Sequence, residues 1–343
     1  MKFMPRANQP GHPVTQTNNY YGAGSSNVVN DKYDVRVDWA RTDWHSMWGR
    51  ITKARQSSRP YMYWDPVAEN SEDQINPRYH VNFGNTFIAS PTMVINVLIG
   101  GGRWNEQWRS KGYGFDFTSL GYPESLARQI DVPSPAQIAV GGLTMGVPRD
   151  LSAIRNVYSG QVNVAKEFSA HSVKFGFSLE SAMMNNKDAY SAYFSFNNGF
   201  TLGPDADSKD PLSGSGMASF LLGAGSGGRA PKADRPATND RYWALYVQDS
   251  WKVSRRLTLN YGVRYEIQEG RTERYNRMNY FDFDAPSPLA AEVGMPNLRG
   301  GLVFLSPQDR NLWRTPYNNF APRVGIAYKV TDRLVARAGY GIF

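Results

Sequence analysis

The sequence predicts an all-β protein, a partial antiparallel transmembrane outer-membrane β-barrel of about twelve strands. Its short turns lie on one side and its long loops on the other. Three observations carry this. First, Arg241–Ile267 reads as a hairpin of two long strands. Leu257, Leu259, Tyr261, Val263, Tyr265 and Ile267 alternate with Thr258, Asn260, Gly262, Arg264 and Glu266, giving one apolar and one wet face. Soluble strands average about five or six residues, whereas a tilted membrane-crossing strand needs about nine to eleven. Second, turns of about two to four residues alternate with loops of about 20 to 50, a pattern uncommon in compact soluble domains and usual in outer-membrane barrels. Third, mean hydropathy is −0.52 and no run approaches the roughly 18 apolar residues of a spanning helix. A chain of this kind can enter a membrane only as a barrel.

Taken in order, residues 1–29 are rich in Pro, Asn, Gly and Ser and predict an irregular lead-in, with the barrel over 30–343. Lys32–Trp39 alternates cleanly, Tyr33, Val35, Val37 and Trp39 against Lys32, Asp34, Arg36 and Asp38. Trp44–Lys53 returns after a short turn with ambiguous facing, because Trp44 and Trp48 compete with Met47 and Ile51. Tyr79–Ala89 and Thr92–Trp104 flank Ser90-Pro91, where a proline is tolerated. After a long Gly/Pro/aromatic connection (105–157), Gln161–Phe168 and Ser172–Glu180 flank Ser169-Ala170. Tyr190–Phe196 reads as a seventh strand, and Gly216–Gly223 as a short helix or turn. Phe320–Val330 and Leu334–Phe343 close the chain around Thr331-Asp332. If the short turns share one side, antiparallel pairing demands a further strand within Leu222–Arg235 and puts the short helix on the turn side.

Composition removes several function classes. The chain has no cysteine, so disulfides, thiolate nucleophiles and Cys-ligated metals are excluded. The formal net charge of +8 is spread along strands and loops without a basic patch, which argues against nucleic acid as a partner. Twenty Tyr, 17 Phe and 9 Trp suit interfacial aromatic belts. Residues 1–11 show no signal-peptide pattern, and the chain stops inside a strand pattern; both features read as an internal piece of a longer protein.

Several segments resemble TonB-dependent outer-membrane receptors, the Oar-like branch above all. They are YVQDSWKVSRRLTLNYGVRYE (246–266), NNFAPRVGIAYKVTDRLVARAGYGIF (318–343), SAHSVKFGFSLE (169–180) and GSGMASFLLG (214–223). MPRANQPG (4–11) and DKYDVRVDWARTDWHSMWGRIT (31–52) are similar to the region leading into that branch's barrel. The resemblance implies a barrel of about 22 strands around an N-terminal plug. It also implies uptake of scarce or large solutes across the outer membrane of a Gram-negative cell, driven by the TonB complex. The chain itself shows no plug, no TonB box and no closing terminal strand, so TonB is an expected partner of a full-length parent only.

Candidate site residues are few. Arg36, Lys174, Arg264, Glu266, Arg323 and Arg337 fall on wet strand faces and are expected to face the lumen; Lys329 shares that register. A basic lining would favour anionic solutes, against the plainer reading of ordinary lumen polarity. His12, His45, His80 and His171 have no zinc-site spacing. Asp205, Asp207 and Asp210 suggest a calcium loop without the glycine and glutamate such a loop needs. The glycine clusters lack a P-loop ending, and Asp282 and Asp284 are two residues apart with no other mark of a sugar cleft. No catalytic constellation and no cofactor motif is present, so the expectation is a transporter segment and not an enzyme. The solute is undefined, and the membrane partner is outer-membrane lipid. The alternatives are an outer-membrane barrel with an adhesive or surface-structural role, and a soluble all-β binding protein, for which the required fixed-period repeat is absent.

Overall fold

A computed structural model describes residues 2–13, 17–203 and 213–342. The first four strands are β1 (Asn27–Thr42), β2 (His45–Arg59), β3 (Glu72–Ser90) and β4 (Met93–Ser110). Two short strands follow, β5 (Gln137–Val140) and β6 (Leu143–Met145), then β7 (Arg149–Phe168) and β8 (His171–Tyr190). After β9 (Tyr193–Phe196) and β10 (Gly227–Arg229) come β11 (Ala237–Lys252), β12 (Leu257–Gln268) and the two-residue β13 (Thr272–Glu273). The chain continues through β14 (Asn279–Pro286), β15 (Arg299–Phe304), β16 (Phe320–Lys329) and β17 (Val335–Gly341). Among the described residues, the two short α-helices are α1 (Glu124–Ala127) and α2 (Gly216–Leu221).

Ten of these strands form one antiparallel meander in the order β1-β2-β3-β4-β7-β8-β11-β12-β16-β17, with β13 added against β11. Among the described residues no helix is long and apolar enough to cross a membrane. Register aligns the apolar positions of neighbouring strands on one face. Val35 lies opposite Ile51, Ile51 opposite Val81, Phe83 opposite Ile99 and Val97 opposite Val162. Val162 in turn meets Phe177, Phe177 meets Leu245, and Val247 meets Val263. This face is left open to its surroundings, as Ile51 at 60% and Ile99 at 56% exposure illustrate. In water such a surface would be unfavourable; against lipid chains it is matched.

The ambiguous second strand is now resolved. Met47 pairs with Trp39 on the apolar face, while Trp48 pairs with Asp38 on the wet face, where the Arg36 guanidinium stacks over its ring at 4.4 Å.

Strand ends and count depart from expectation. β7 begins at Arg149 and not near Gln161, and β8 runs on to Tyr190. Above Tyr158 both faces of β7 mix polar and apolar residues, Leu151, Ala153 and Val157 with Arg149 and Arg155 on one and Ile154 with Asp150, Ser152 and Asn156 on the other, so the period-two contrast that marks a strand in sequence disappears there. The meander accordingly has ten strands. The expected seventh strand shrinks to β9, which leaves the meander and pairs in parallel with β5. The extra crossing strand expected in 222–235 is not found among the described residues; that stretch holds only the three-residue β10, which pairs with β9 outside the meander. Because the long β8 rises directly to the loop side, β11 pairs with it antiparallel without an intervening strand.

α2 is the short helix expected over 216–223, but it packs against β9 and β5 on the loop side and not beside the turns. The lead-in is a loop-side element too: Asn27 pairs with Arg59 at the loop end of β2, and the Tyr20 hydroxyl donates to the Tyr63 carbonyl at 2.9 Å. Asp205, Asp207 and Asp210 lie outside the described residues, as does Phe343.

Candidate functional site

Two surfaces merit attention: the wet face of the meander and the cap built on its loop side. All six sequence-predicted residues sit on the wet face. Arg36 lies opposite Arg50, Lys174 opposite Gln248, Arg264 opposite Tyr246 and Glu266 opposite Ala244. Arg323 lies opposite Gly262, and Arg337 opposite Ala327. The structure brings three of them together: Lys174, Arg264 and Arg323 line one groove of about 510 Å³ with Tyr246, Gln248 and Asn260. Glycines open its floor. A Cβ at Gly176 would meet the Tyr246 ring at 2.6 Å, so only glycine lets Tyr246 lie across β8 and donate to Asn163 Oδ1 at 2.8 Å.

Arg264 is held by Glu266 and donates to the Tyr242 hydroxyl at 2.9 Å. That hydroxyl donates onward to Glu266 at 2.8 Å. Arg36 stands apart, bound to Asp38 at 2.7 Å, and Arg337 lies on the last strand of the meander. The groove is lined by three cations, Lys174, Arg264 and Arg323, and one acidic residue, Asp249, and Glu266 beside it balances Arg264.

Of the cap, the sequence marked α2 and the segments of β9 and β10 but not their assembly, and it left β5 and β6 inside a connection rich in Gly, Pro and aromatics. A four-stranded sheet in the order β10-β9-β5-β6 forms its centre. The β5–β6 hairpin turns at Gly141-Gly142, both left-handed at φ 53° and 90°, a conformation that suits a two-residue hairpin turn. Phe117, Ala136 and Ala192 form a small core. An aromatic series runs from Phe3 through Phe115 and Phe117 to Tyr122 and Phe194. Burial pushes the Tyr122 hydroxyl up from its ordinary value. Between the cap sheet, the lead-in and α2 lies a cavity of about 1080 Å³, bordered by Met4, Tyr122, Ile138, Leu143, Met217 and Phe220 among others; none of the described residues lining it is charged.

Buried carboxylates fasten the cap and its neighbouring loops. Glu69 accepts from the Tyr63 and Trp64 amides at 2.7 and 3.0 Å. Asp131 binds Lys232 Nζ and the Ala233 amide, both at 2.8 Å; the Lys232 ammonium holds its carboxyl below the usual range. Glu273 is the most enclosed, at 1% exposure. Burial alone would raise its carboxyl. The Arg277 amide and guanidinium, with the Ala237 and Tyr275 amides, outweigh burial and lower it to about 2. In the same loop region, the hairpin β14–β15 presents Phe283 at 79% and Phe304 at 67% exposure.

The family described as outer membrane beta barrel domain matches residues 1–343. No curated protein matches the sequence. Among solved structures the chain is similar to the copper transporter OprC, at 11% identity and TM-score 0.51 over 92% of this chain and 37% of that one. It also matches the siderophore receptor PiuA from Acinetobacter baumannii, with 9% identity, TM-score 0.49, and 98% and 43% coverage. For the ferric citrate transporter FecA the values are 11%, 0.46, 92% and 36%. At these identities the likeness to OprC is one of fold, and the chain spans well under half the length of each of these proteins.

Proposed function

The chain belongs to the outer-membrane β-barrel domain family of the Gram-negative outer membrane, and from that premise we propose that residues 30–343 are barrel strands and loops of a TonB-dependent receptor that takes up a scarce or large solute. The observation that carries the reading is the pairing of a loop-side cavity with a charged wet face along one meander. Capture would begin at the uncharged cavity under the cap, and passage would follow the wet face. Arg36, Lys174, Arg264, Glu266, Arg323 and Arg337 are proposed to face the lumen, where the surplus of cations favours a solute with an anionic group. The fold of the copper transporter OprC supports the receptor class. The Oar-like assignment rests on the segments quoted from the sequence. TonB would act on the full-length parent.

The test is uptake in the native host. Cells lacking the parent gene should lose accumulation of one solute from a panel of metal chelates, nucleotides and oligosaccharides, and deletion of tonB should abolish the same uptake. Unchanged uptake across the panel, together with reduced surface attachment, would instead favour an adhesive barrel. The exposed aromatic hairpin β14–β15 is the one feature that favours this second reading.

A further inference from the structure

We infer that the loop after β2 holds a small organic ammonium ion against the Glu69 carboxylate, in a pocket bordered by Tyr20, Tyr63 and Trp64. The site goes beyond solute uptake and does not depend on it. Its acid is placed by the local sequence YWDPVAE (63–69). Asp65-Pro66 opens a tight turn. The Asp65 carbonyl accepts from the Ala68 and Glu69 amides, both at 2.9 Å, and Asp65 Oδ1 accepts from the Val67 amide at 2.9 Å. The turn brings the Glu69 carboxylate back to the start of the segment, where Oε2 accepts from the Tyr63 and Trp64 amides. Its other oxygen, Oε1, receives no hydrogen bond among the described residues, and Glu69 lines a pocket of about 290 Å³.

The pocket suits a small cation. Tyr20, Gly22, Tyr63, Trp64, Asn70 and Thr144 complete its lining, which includes no Lys, Arg or His among the described residues. Its volume lies just below the range of about 300–1,000 Å³ usual for drug-sized ligands. Aromatic faces attract ammonium groups, more strongly where water is excluded. The rings are held in place by the protein itself. The Tyr20 hydroxyl donates to the Tyr63 carbonyl at 2.9 Å, and Tyr61 meets the Tyr63 ring edge-on at 5.1 Å. Gly22 lets Tyr20 and Tyr63 approach, because a Cβ there would stand 2.9 Å from the Tyr63 ring and 3.3 Å from the Tyr20 ring.

Charge singles out Glu69. Four acids are buried among the described residues: Glu69, Asp150, Asp249 and Glu273. Asp150 pairs with Arg109 and Lys187, Asp249 with His171, and Glu273 with Arg277. Glu69, at 5% exposure, makes no salt bridge among the described residues. Two backbone amides satisfy one of its oxygens, but a buried charge without a counterion is costly. An ammonium ion in the pocket supplies that counterion and lies against the rings at the same time. A neutral sugar, which aromatic rings and a carboxylate also attract, would leave the charge uncompensated.

The full chain, reconstituted in phosphatidylglycerol nanodiscs, is titrated with choline by calorimetry. Saturable binding is expected. The uncharged isostere 3,3-dimethylbutan-1-ol should bind the unaltered chain about tenfold or more weakly, an arm that needs no variant. Glu69→Gln keeps an acceptor for the two amides and should weaken choline binding about tenfold or more. Trp64→Leu should weaken it about threefold or more. Glu124→Gln, which alters an exposed acid elsewhere on the loop side, should leave it unchanged. Choline should bind equally in phosphatidylcholine discs, because Glu69 lies beyond the loop end of β3, and millimolar glucose should not compete. Absence of choline binding, equal binding of the isostere, or unchanged binding in Glu69→Gln or Trp64→Leu would overturn the site. So would an equal loss in Glu124→Gln, displacement by glucose, which would mark a sugar site, or loss of binding in phosphatidylcholine discs, which would mark a lipid-headgroup site.

Discussion

At the scale of single residues, two buried acids, Glu273 in the loop region and Asp249 in the strands, tie together segments distant in sequence. Glu273 fastens the 268–318 loop to the top of β11 through the Ala237 amide at 3.1 Å and the Arg277 amide at 3.0 Å. Its carboxyl lies at about 2 when folded, against 4.5 for the ordinary group. A lowered carboxyl adds stability that is complete above about pH 4.5 and is lost as pH falls toward 2. The shift corresponds to roughly 3 kcal/mol. Amide exchange in residues 270–278 should therefore accelerate below about pH 4, and Glu273→Gln should accelerate it at pH 7; unchanged protection in the variant would contradict the role.

Asp249 is the second acid. It stands in the apolar register, which the sequence makes plain, but its compensation is not local. His171 Nδ1 is 2.6 Å from Asp249 Oδ2 and comes from a residue 78 positions away, and the Tyr261 hydroxyl donates to the same oxygen at 2.8 Å. Phe168 and Trp251 flank the imidazole. Asp249→Ala should cost about 3 kcal/mol in urea unfolding from lipid bilayers. A double-mutant cycle with His171→Ala should give a coupling of about 1 kcal/mol or more; strict additivity would show that the pair is not a unit.

At the scale of elements, the alternation of Leu257–Ile267 against Trp243–Trp251 was legible because one face meets lipid and the other does not, and register joins the two faces across strands. The upper half of β7 was not legible: Arg149–Val157 is polar or mixed on both faces, and pairing with β4 and β8 alone makes it a strand. The same rule explains why the six wet-face residues could be named from sequence, while the cap residues around the uncharged cavity could not. Those come from the lead-in, loop residues near 67–68 and 120–122, the short β5–β6 hairpin and α2, none of which has a period to read. Facing predicts a contrast between neighbours on β12. Val263→Arg should impair membrane assembly at a cost of about 2–4 kcal/mol, whereas Asn260→Arg should assemble normally, as judged by heat-modifiable mobility in gels. Equal effects from the two would refute the facing.

At the scale of the whole molecule, the contrast between short turns and long loops identified the two sides correctly, and the error in strand number arose from one misplaced element. Counting Tyr190–Phe196 as a crossing strand forced an extra crossing downstream. Once β8 is seen to run its full length and β9 to belong to the cap, the ten-strand order follows without it. The central claim is that one face of this meander meets lipid along a belt about eleven residues deep. The chain has no cysteine, so single cysteines placed along Asn156–Phe168 of β7 can each carry a spin label without a background. In reconstituted bilayers, even positions from 158 to 168 should be relaxed by dissolved oxygen and odd positions by a water-soluble nickel chelate, with oxygen access lost at 156. Access that does not alternate, or alternation that continues unchanged to Arg149, would contradict the account.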